Sequence, residues 1–164
     1  MENLNIQRIN SQSPYSVSFD GTSYLFFTDS GACISKSFSP LKSIDSLKGF
    51  WLSLDNQNGF PSFNDQNLRK TVFCVMEDFF LSNYDYLLFM CEFDDGKQAI
   101  RNRMFKQWFN SYDFREKFSF MNRETKYEGN ITYISLIASK SNPMSKYMTD
   151  FFNEAIDIFN RNKP

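Results

Sequence analysis

The sequence predicts an α+β fold in which a mainly antiparallel sheet of about six to seven strands packs against three helices. Two observations lead to this fold class. The first part of the chain alternates apolar and polar residues between short turns, which is typical of strands joined as hairpins. Later segments repeat their apolar residues at the 3.6-residue period of a helix. The predicted order is four strands, a helix, a strand, a helix, two strands and a helix.

The first three strands form a predicted meander, because only short turns separate them. These strands are predicted over 15–19, 22–28 and 32–38. Between the first two, Asp20-Gly21 favours a tight type I′ turn, whose central residues both need positive φ. Residues 1–13 are polar and without periodicity, so we expect a flexible lead-in there and a single domain over 14–164.

The later elements follow from the same patterns. A connection is predicted over 41–48. Strands are predicted over 50–54 and 86–93, from Phe118 onward, and over 131–138. Helices are predicted from the N-cap Asp65 to about Ser82, from Lys97 to about Ser111, and at the end of the chain with Pro143 as the first helical residue. We expect the apolar stripe of the last helix to face the sheet. That stripe consists of Met144, Tyr147, Met148, Phe151, Phe152, Ala155, Ile156 and Phe159.

Composition disfavours several classes of function. With 18 basic and 19 acidic residues, the formal net charge is −1, whereas nucleic-acid-binding domains usually carry a basic patch or a net positive charge. The chain has no histidine, the commonest general base and transition-metal ligand. We therefore predict no catalytic, cofactor-binding or metal-binding residues, and the composition leans against an enzyme.

The cysteines and the N-terminal residues predict a cytoplasmic protein. Cys33, Cys74 and Cys91 are far apart and show no CxxC spacing, so we expect three free thiols. The first residues lack the basic and apolar regions of a signal peptide. No apolar run approaches the roughly 20 residues that span a bilayer, so no membrane segment is expected.

The predicted helix that begins at Lys97 carries an arginine in an unexpected place. On a helical wheel Arg101 falls near the middle of the apolar side. The apolar side is predicted to hold Ile100, Met104, Phe105, Trp108, Phe109 and Tyr112, and the polar side Ala99, Asn102, Arg103, Lys106, Gln107 and Asn110. An arginine that faces a core needs hydrogen-bond partners for its guanidinium.

Arg101 therefore leads to two hypotheses. In the first, Arg101 and Lys97, one turn earlier on the same side, form a site for an anion or for a partner. In the second, Arg101 forms a structural ion pair with Glu92, Asp94 or Asp95, which precede the helix. The two aspartates would also suit the N-terminal end of the helix dipole.

The same stretch carries a family resemblance. The aromatic strand that ends in an acidic turn and continues as GKQAIRNRMFKQWF, together with the earlier FTDSG and the later ISLIASKSNP, resembles a family of small uncharacterised Bacteroidetes proteins, a domain of unknown function. The resemblance covers most of the chain from Pro14 onward. It implies a bacterial, cytosolic protein and no particular activity.

Three functions stay open from the sequence. The leading hypothesis is a non-enzymatic binding or interaction module, whose partner could be another protein. The alternative is an acyl-CoA-dependent transferase, because the strand, turn and following helix also resemble the acetyl-CoA-binding segment of GNAT acetyltransferases. Against it, Gly96 stands alone after two aspartates, and the chain ends on a predicted helix. A further alternative is single-stranded RNA binding through exposed aromatic rings on the sheet.

Overall fold

The structure, a computed structural model, describes residues 3–40, 49–59, 65–82, 86–91 and 96–161. Over these residues the chain forms four α-helices, seven strands and one short 3₁₀ helix. The chain divides into two compact units, one built from residues 1–43 and 50–84 and the other from residues 44–49 and 85–164. A single domain over 14–164 remains a prediction. The connection predicted over 41–48 lies outside the described residues.

The first unit is the predicted meander with two helices. Its elements are α1 (Ile6–Gln12), β1 (Ser18–Phe19), β2 (Tyr24–Phe27), β3 (Cys33–Pro40), β4 (Gly49–Asn56) and α2 (Gln66–Ser82). The strands lie in the order β1-β2-β3-β4, and each neighbouring pair is antiparallel. α2 begins as predicted after Asp65, whose carboxylate accepts the N–H of Leu68 at 3.0 Å.

Helix α1 lies where the sequence led us to expect a flexible lead-in over residues 1–13. Ile9 is buried, and α2 holds α1 through one carboxylate. That carboxylate, of Asp78, accepts the backbone N–H of Asn5 at 2.8 Å and forms an ion pair with Arg8. A helix this short is marginal alone, so contacts with the rest of the unit stabilise it rather than its own sequence pattern.

The turn between β1 and β2 differs from the predicted type I′ hairpin. Among the described residues, Gly21 has a positive φ of 100°, but Asp20 does not. The carboxylate of Asp20 instead accepts the backbone N–H groups of Thr22 and Ser23, at 2.8 and 2.7 Å. The aspartate thus closes a wider loop through its side chain, which is the alternative use of Asp in turns.

The core of the first unit contains several aromatic rings, in a chain with 20 Phe, 8 Tyr and 2 Trp. Phe79 of α2 stacks on Phe38 of β3 with ring centroids 4.9 Å apart, and it meets Phe50 of β4 edge-on at 5.6 Å. The apolar residues of α2 that follow the 3.6-residue period are all buried: Leu68, Val72, Val75, Met76 and Phe79. Each buried ring removes roughly 150–250 Å² from water, so a few rings anchor the helix to the strands.

The second unit contains three strands and two helices. Its elements are β5 (Tyr86–Cys91), α3 (Gln98–Asn110), a 3₁₀ helix (Arg115–Lys117), β6 (Phe118–Tyr127), β7 (Asn130–Ser139) and α4 (Ser145–Arg161). The strands lie in the order β5-β7-β6 and pair antiparallel. The turn between β6 and β7 has the two positive φ values of a type I′ turn, 49° at Glu128 and 81° at Gly129.

Helices cover both faces of these three strands. Phe89 of β5 and Phe120 of β6 stack on Phe105 and Phe109 of α3, both with centroids 4.5 Å apart. Residues one position along each strand point to the other face. There, Leu88, Met121, Ile134, Leu136 and Ala138 pack with Met148, Phe152 and Ile156 of α4.

The α+β class predicted from the sequence is confirmed. The order of strands and helices is the predicted one, with α1 added before it. The last helix begins at Ser145 rather than in the turn at Pro143, and the side chain of Asn142 accepts the N–H of Met144 at 2.9 Å. None of the helices in the described part of the chain combines the length and apolar character needed to cross a bilayer.

Candidate interaction surface

The structure places Lys97 and Arg101 on adjacent turns at the start of α3. Lys97 is exposed at the N-cap position, and the N–H of Arg101 donates to its carbonyl at 3.1 Å. Arg101 is half-buried. Glu92, Asp94 and Asp95 lie outside the described residues, so both hypotheses for Arg101 remain predictions.

The charge of Arg101 affects the thiol of Cys91, which lies at the end of β5. Burial raises the pKa of the Cys91 thiol to about 11, and the nearby guanidinium of Arg101 offsets part of that rise. The hydroxyl of Thr132 donates to the Cys91 carbonyl at 2.8 Å. The charge of Arg101 is therefore close enough to the end of β5 to act on this thiol.

Helix α3 is rotated relative to the predicted wheel. Ile100, predicted on the buried side, is 62% exposed, whereas Asn102, predicted on the polar side, is 6% exposed. The buried face is centred near Phe105 and Phe109, so Arg101 lies at its flank rather than in its middle. The predicted and observed faces of α3 differ because Asn102 is buried, whereas a helical wheel based on apolar residues alone places every asparagine on the solvent side.

A polar network under α3 accounts for that buried asparagine. The Asn122 amide donates to the Asn102 carbonyl oxygen at 2.7 Å and to the Ser135 hydroxyl at 2.8 Å. The Asn102 amide donates back to the Asn122 oxygen at 3.2 Å. Residue 122 pairs with residue 135 in the β6–β7 register, so the two strands bring these groups together. The network pairs buried polar groups, which is the condition for keeping them in a core.

A buried lysine lies in the first unit. Lys36 of β3 has no exposed side-chain area. Burial lowers the pKa of its amine well below that of an ordinary lysine, and the nearby Cys74 thiol acts in the opposite direction. A neutral lysine amine can react only if a substrate reaches it, and the fully buried Lys36 is not accessible to one. Among the described residues no group of three acidic, cysteine or histidine side chains is arranged to hold a metal ion.

Helix α4 presents only part of its predicted apolar stripe to the sheet. Met148, Phe152 and Ile156 are buried as expected. The other members of the predicted stripe are exposed: Met144, Tyr147, Phe151, Ala155 and Phe159. The expectation that the whole stripe packs on the sheet is therefore wrong. A helix can turn only a limited arc toward a flat sheet, and the apolar arc of α4 is wider than that.

The exposed part forms a continuous line, here named the α4 stripe and defined as Met144, Tyr147, Phe151, Ala155 and Ile158. Tyr147 is 45% exposed, Phe151 37% and Ile158 41%. The rings of Tyr147 and Phe151 stack on one another with centroids 6.3 Å apart. Spacings of three and four residues keep these side chains on one side of the helix. Ile158 was not predicted to belong to an apolar face.

An open polar groove of about 640 Å³ runs along another side of α4. It is lined by Asp150, Asn153, Glu154, Asp157, Asn160 and Arg161. Arg123 of β6 bonds two of these residues: its guanidinium donates to the Asn153 side-chain oxygen at 3.0 Å and pairs with Asp157. α4 therefore combines a buried face, an apolar exposed face and a largely acidic face.

These features define an α+β protein whose last helix carries the candidate surface for binding. The family of unknown function DUF6169 matches residues 64–154 of the chain, which is more than half of its length. The chain belongs to this family, as its sequence resemblance to a domain of unknown function indicates. The match includes Tyr147 and Phe151 of the α4 stripe and ends before Ile158. No match was found among curated proteins or among solved structures.

Proposed function

We propose that this protein is a non-enzymatic binding module that recognises a partner protein through the α4 stripe. The exposed aromatic and aliphatic line along α4 is the observation that carries the proposal. Single apolar side chains on a surface are ordinary, whereas a contiguous apolar patch bordered by polar residues is typical of a binding site. Tyrosine, phenylalanine and methionine are also enriched in protein interfaces.

The anchoring of α4 favours a role in binding over a loosely held terminus. Met148, Phe152 and Ile156 fix the opposite side of the helix in the core of the second unit. The Arg123–Asp157 pair holds its next turn. The α4 stripe is thus preorganised, which lowers the entropy that a partner must overcome on binding.

The proposal includes a bacterial protein that acts in the cytoplasm. All three cysteines, Cys33, Cys74 and Cys91, are free thiols, which is the usual state in a reducing compartment. RNA binding requires aromatic rings that stand open beside basic residues. In the second unit, Phe89 and Phe120 on the sheet instead stack on α3. Those stacked rings disfavour RNA binding through this face of the sheet.

The test uses a neutral amphipathic peptide of leucine and glutamine, roughly 14 residues or about four helical turns long. We expect the wild-type chain to bind this peptide in fluorescence anisotropy, and Phe151→Ser to bind it about tenfold more weakly, a loss of about 1.4 kcal/mol. Ile100→Ser is the matched control, because Ile100 is equally apolar and even more exposed on α3.

Circular dichroism and thermal unfolding of each variant exclude misfolding as the cause of any loss. If the wild-type chain binds neither this peptide nor a basic peptide with the same leucine spacing, or if Ile100→Ser weakens binding as much as Phe151→Ser, the α4 stripe is not a binding surface. Stabilisation of the wild-type chain by acetyl-CoA in the same unfolding assay would favour the transferase instead, because a ligand raises the stability of the state that binds it.

A further inference from the structure

Two carboxylates run beside the α4 stripe. Asp150 follows Tyr147 by three residues, and Glu154 follows Phe151 by the same spacing, so each acid lies next to a ring on the helix surface. Both are exposed and line the groove. Within the described residues neither forms an ion pair, whereas Asp157 one turn later pairs with Arg123. The side of the groove nearest the stripe therefore carries two carboxylates without an ion pair in the described residues, and Arg161 is the one cation among the residues that line the groove.

We infer that the partner is a basic amphipathic segment, an inference that rests on the proposed function. Its apolar side chains cover Tyr147 and Phe151, and a lysine or arginine enters the groove between Asp150 and Glu154. Two carboxylates four residues apart repel each other, and a cation between them removes that repulsion. Lysine and arginine suit such a border, because their stems pack on apolar surface while their charged ends reach the acids.

The same charges disfavour a second copy of this chain. If two α4 helices packed antiparallel through their stripes, with Ala155 near the centre, Glu154 would lie close to its own counterpart. A parallel arrangement would place each acid beside the same acid of the other copy. Juxtaposed like charges in an interface are costly. An anionic lipid surface is disfavoured for the same reason, since surface helices that bind such lipids are rich in lysine and arginine.

The experiment compares three peptides of equal length: leucine with lysine, leucine with glutamine, and leucine with glutamate. We expect the lysine peptide to bind the wild-type chain at least about tenfold more tightly than the glutamate peptide, and high salt to reduce the difference. The double variant Asp150→Asn with Glu154→Gln should bind all three peptides about equally.

The control is the double variant Asp113→Asn with Glu116→Gln. It changes the net charge by the same amount at exposed acids that are not part of α4, so it should keep the preference for lysine. If this control loses the preference as well, the attraction is nonspecific and the inference is wrong.

The remaining outcomes separate this inference from the proposed function. Equal binding of the lysine and glutamine peptides to the wild-type chain overturns the basic partner and leaves the α4 stripe as a binding surface. Binding of no peptide overturns both. A dimer in sedimentation that Phe151→Ser dissociates identifies a second copy as the occupant. Binding to phosphatidylglycerol vesicles that Phe151→Ser abolishes identifies a lipid surface, and either result overturns the basic partner.

Discussion

The amine of Lys36 on β3 donates a hydrogen bond to the carbonyl oxygen of Val72 on α2, with 2.9 Å between the two atoms. One neutral acceptor offsets little of the cost of removing an ammonium ion from water, and this is why burial lowers the pKa of Lys36. The strand and the helix are thus joined by a group that is more stable in the fold without its extra proton.

The first prediction concerns the pH dependence that follows from Lys36. Its folded pKa lies well below the ordinary 10.5, so between those two values the unfolded chain binds more protons than the folded chain. Stability therefore rises with pH in that window, by up to about 1.4 kcal/mol per pH unit. Urea unfolding at a series of pH values up to about pH 9 should show a steeper rise of stability in the wild-type chain than in Lys36→Met. Equal slopes in the two proteins would contradict it.

The second prediction concerns the two thiols whose pKa is raised. Burial raises the pKa of Cys74 and of Cys91 from 9.0 to about 11. The folded chain holds these two protons more tightly than the unfolded chain. The contribution of the protonated thiols to the free energy of unfolding is therefore complete below pH 9.0 and is lost as pH rises toward 11. Over that range the wild-type chain should lose more stability, or gain less, than the double variant Cys74→Ala with Cys91→Ala, since the rise expected from Lys36 up to pH 10.5 is common to both proteins. A double variant that is as sensitive as the wild-type chain would show that other groups cause the loss.

The third prediction concerns the attachment of α1. Asp78 is buried and accepts from both Asn5 and Arg8, so Asp78→Ala leaves the Asn5 N–H without its acceptor. The loss of a hydrogen bond to a carboxylate costs about 1.5–3 kcal/mol. We expect Asp78→Ala to lower stability by that amount and to make α1 more sensitive to proteolysis. The exposed Asp55 provides the control, and Asp55→Ala should change neither property.

The fourth prediction concerns the buried amide pair. Asn102→Ala leaves a polar group of Asn122 unpaired, and Asn122→Ala does the same to Asn102. A double-mutant cycle should therefore give a coupling of about 0.5–3 kcal/mol. Asn110, exposed on the same helix, is the control, because Asn110→Ala should be additive with Asn122→Ala. Additivity of the Asn102 and Asn122 substitutions would show that the two side chains do not depend on each other.

The fifth prediction compares two arginines on α3. Arg101 is half-buried and Arg103 is exposed, so Arg101→Met should lower the unfolding midpoint more than Arg103→Met. Titration of each variant with inorganic phosphate, read as thermal stabilisation, separates the two hypotheses for Arg101. Phosphate that stabilises the wild-type chain but not Arg101→Met favours the anion site, and the absence of any stabilisation favours the structural ion pair.

The order of elements could be predicted because it depends on local patterns. Alternation in the strands and the 3.6-residue period of α2 are visible within a few neighbouring residues, and Asp65 caps α2 as its position indicates. The position of α1 was not visible, because it depends on the carboxylate of Asp78 some seventy positions later in the chain.

The orientation of α3 and α4 could be predicted only in part. Apolar residues on a wheel identify a face, but the buried edge of α3 is set by Asn102, whose partners are on β6 and β7. For α4, the same pattern does not distinguish an apolar side chain that packs on the sheet from one that stays exposed on the surface. Phe152 and Phe151 are neighbours of the same type, and only the first is buried.

Strand β6 shows a further consequence of the way α4 is attached. β6 is the last strand in the order β5-β7-β6, and an open strand edge is a common site of aggregation. Here the Asn160 side chain of α4 donates to the Glu124 carbonyl of β6 at 3.2 Å, and charged Arg123 and Lys126 lie along the same strand. The Asn160 side chain thus occupies one backbone acceptor of this edge, and the charged side chains beside it disfavour the addition of a foreign strand there.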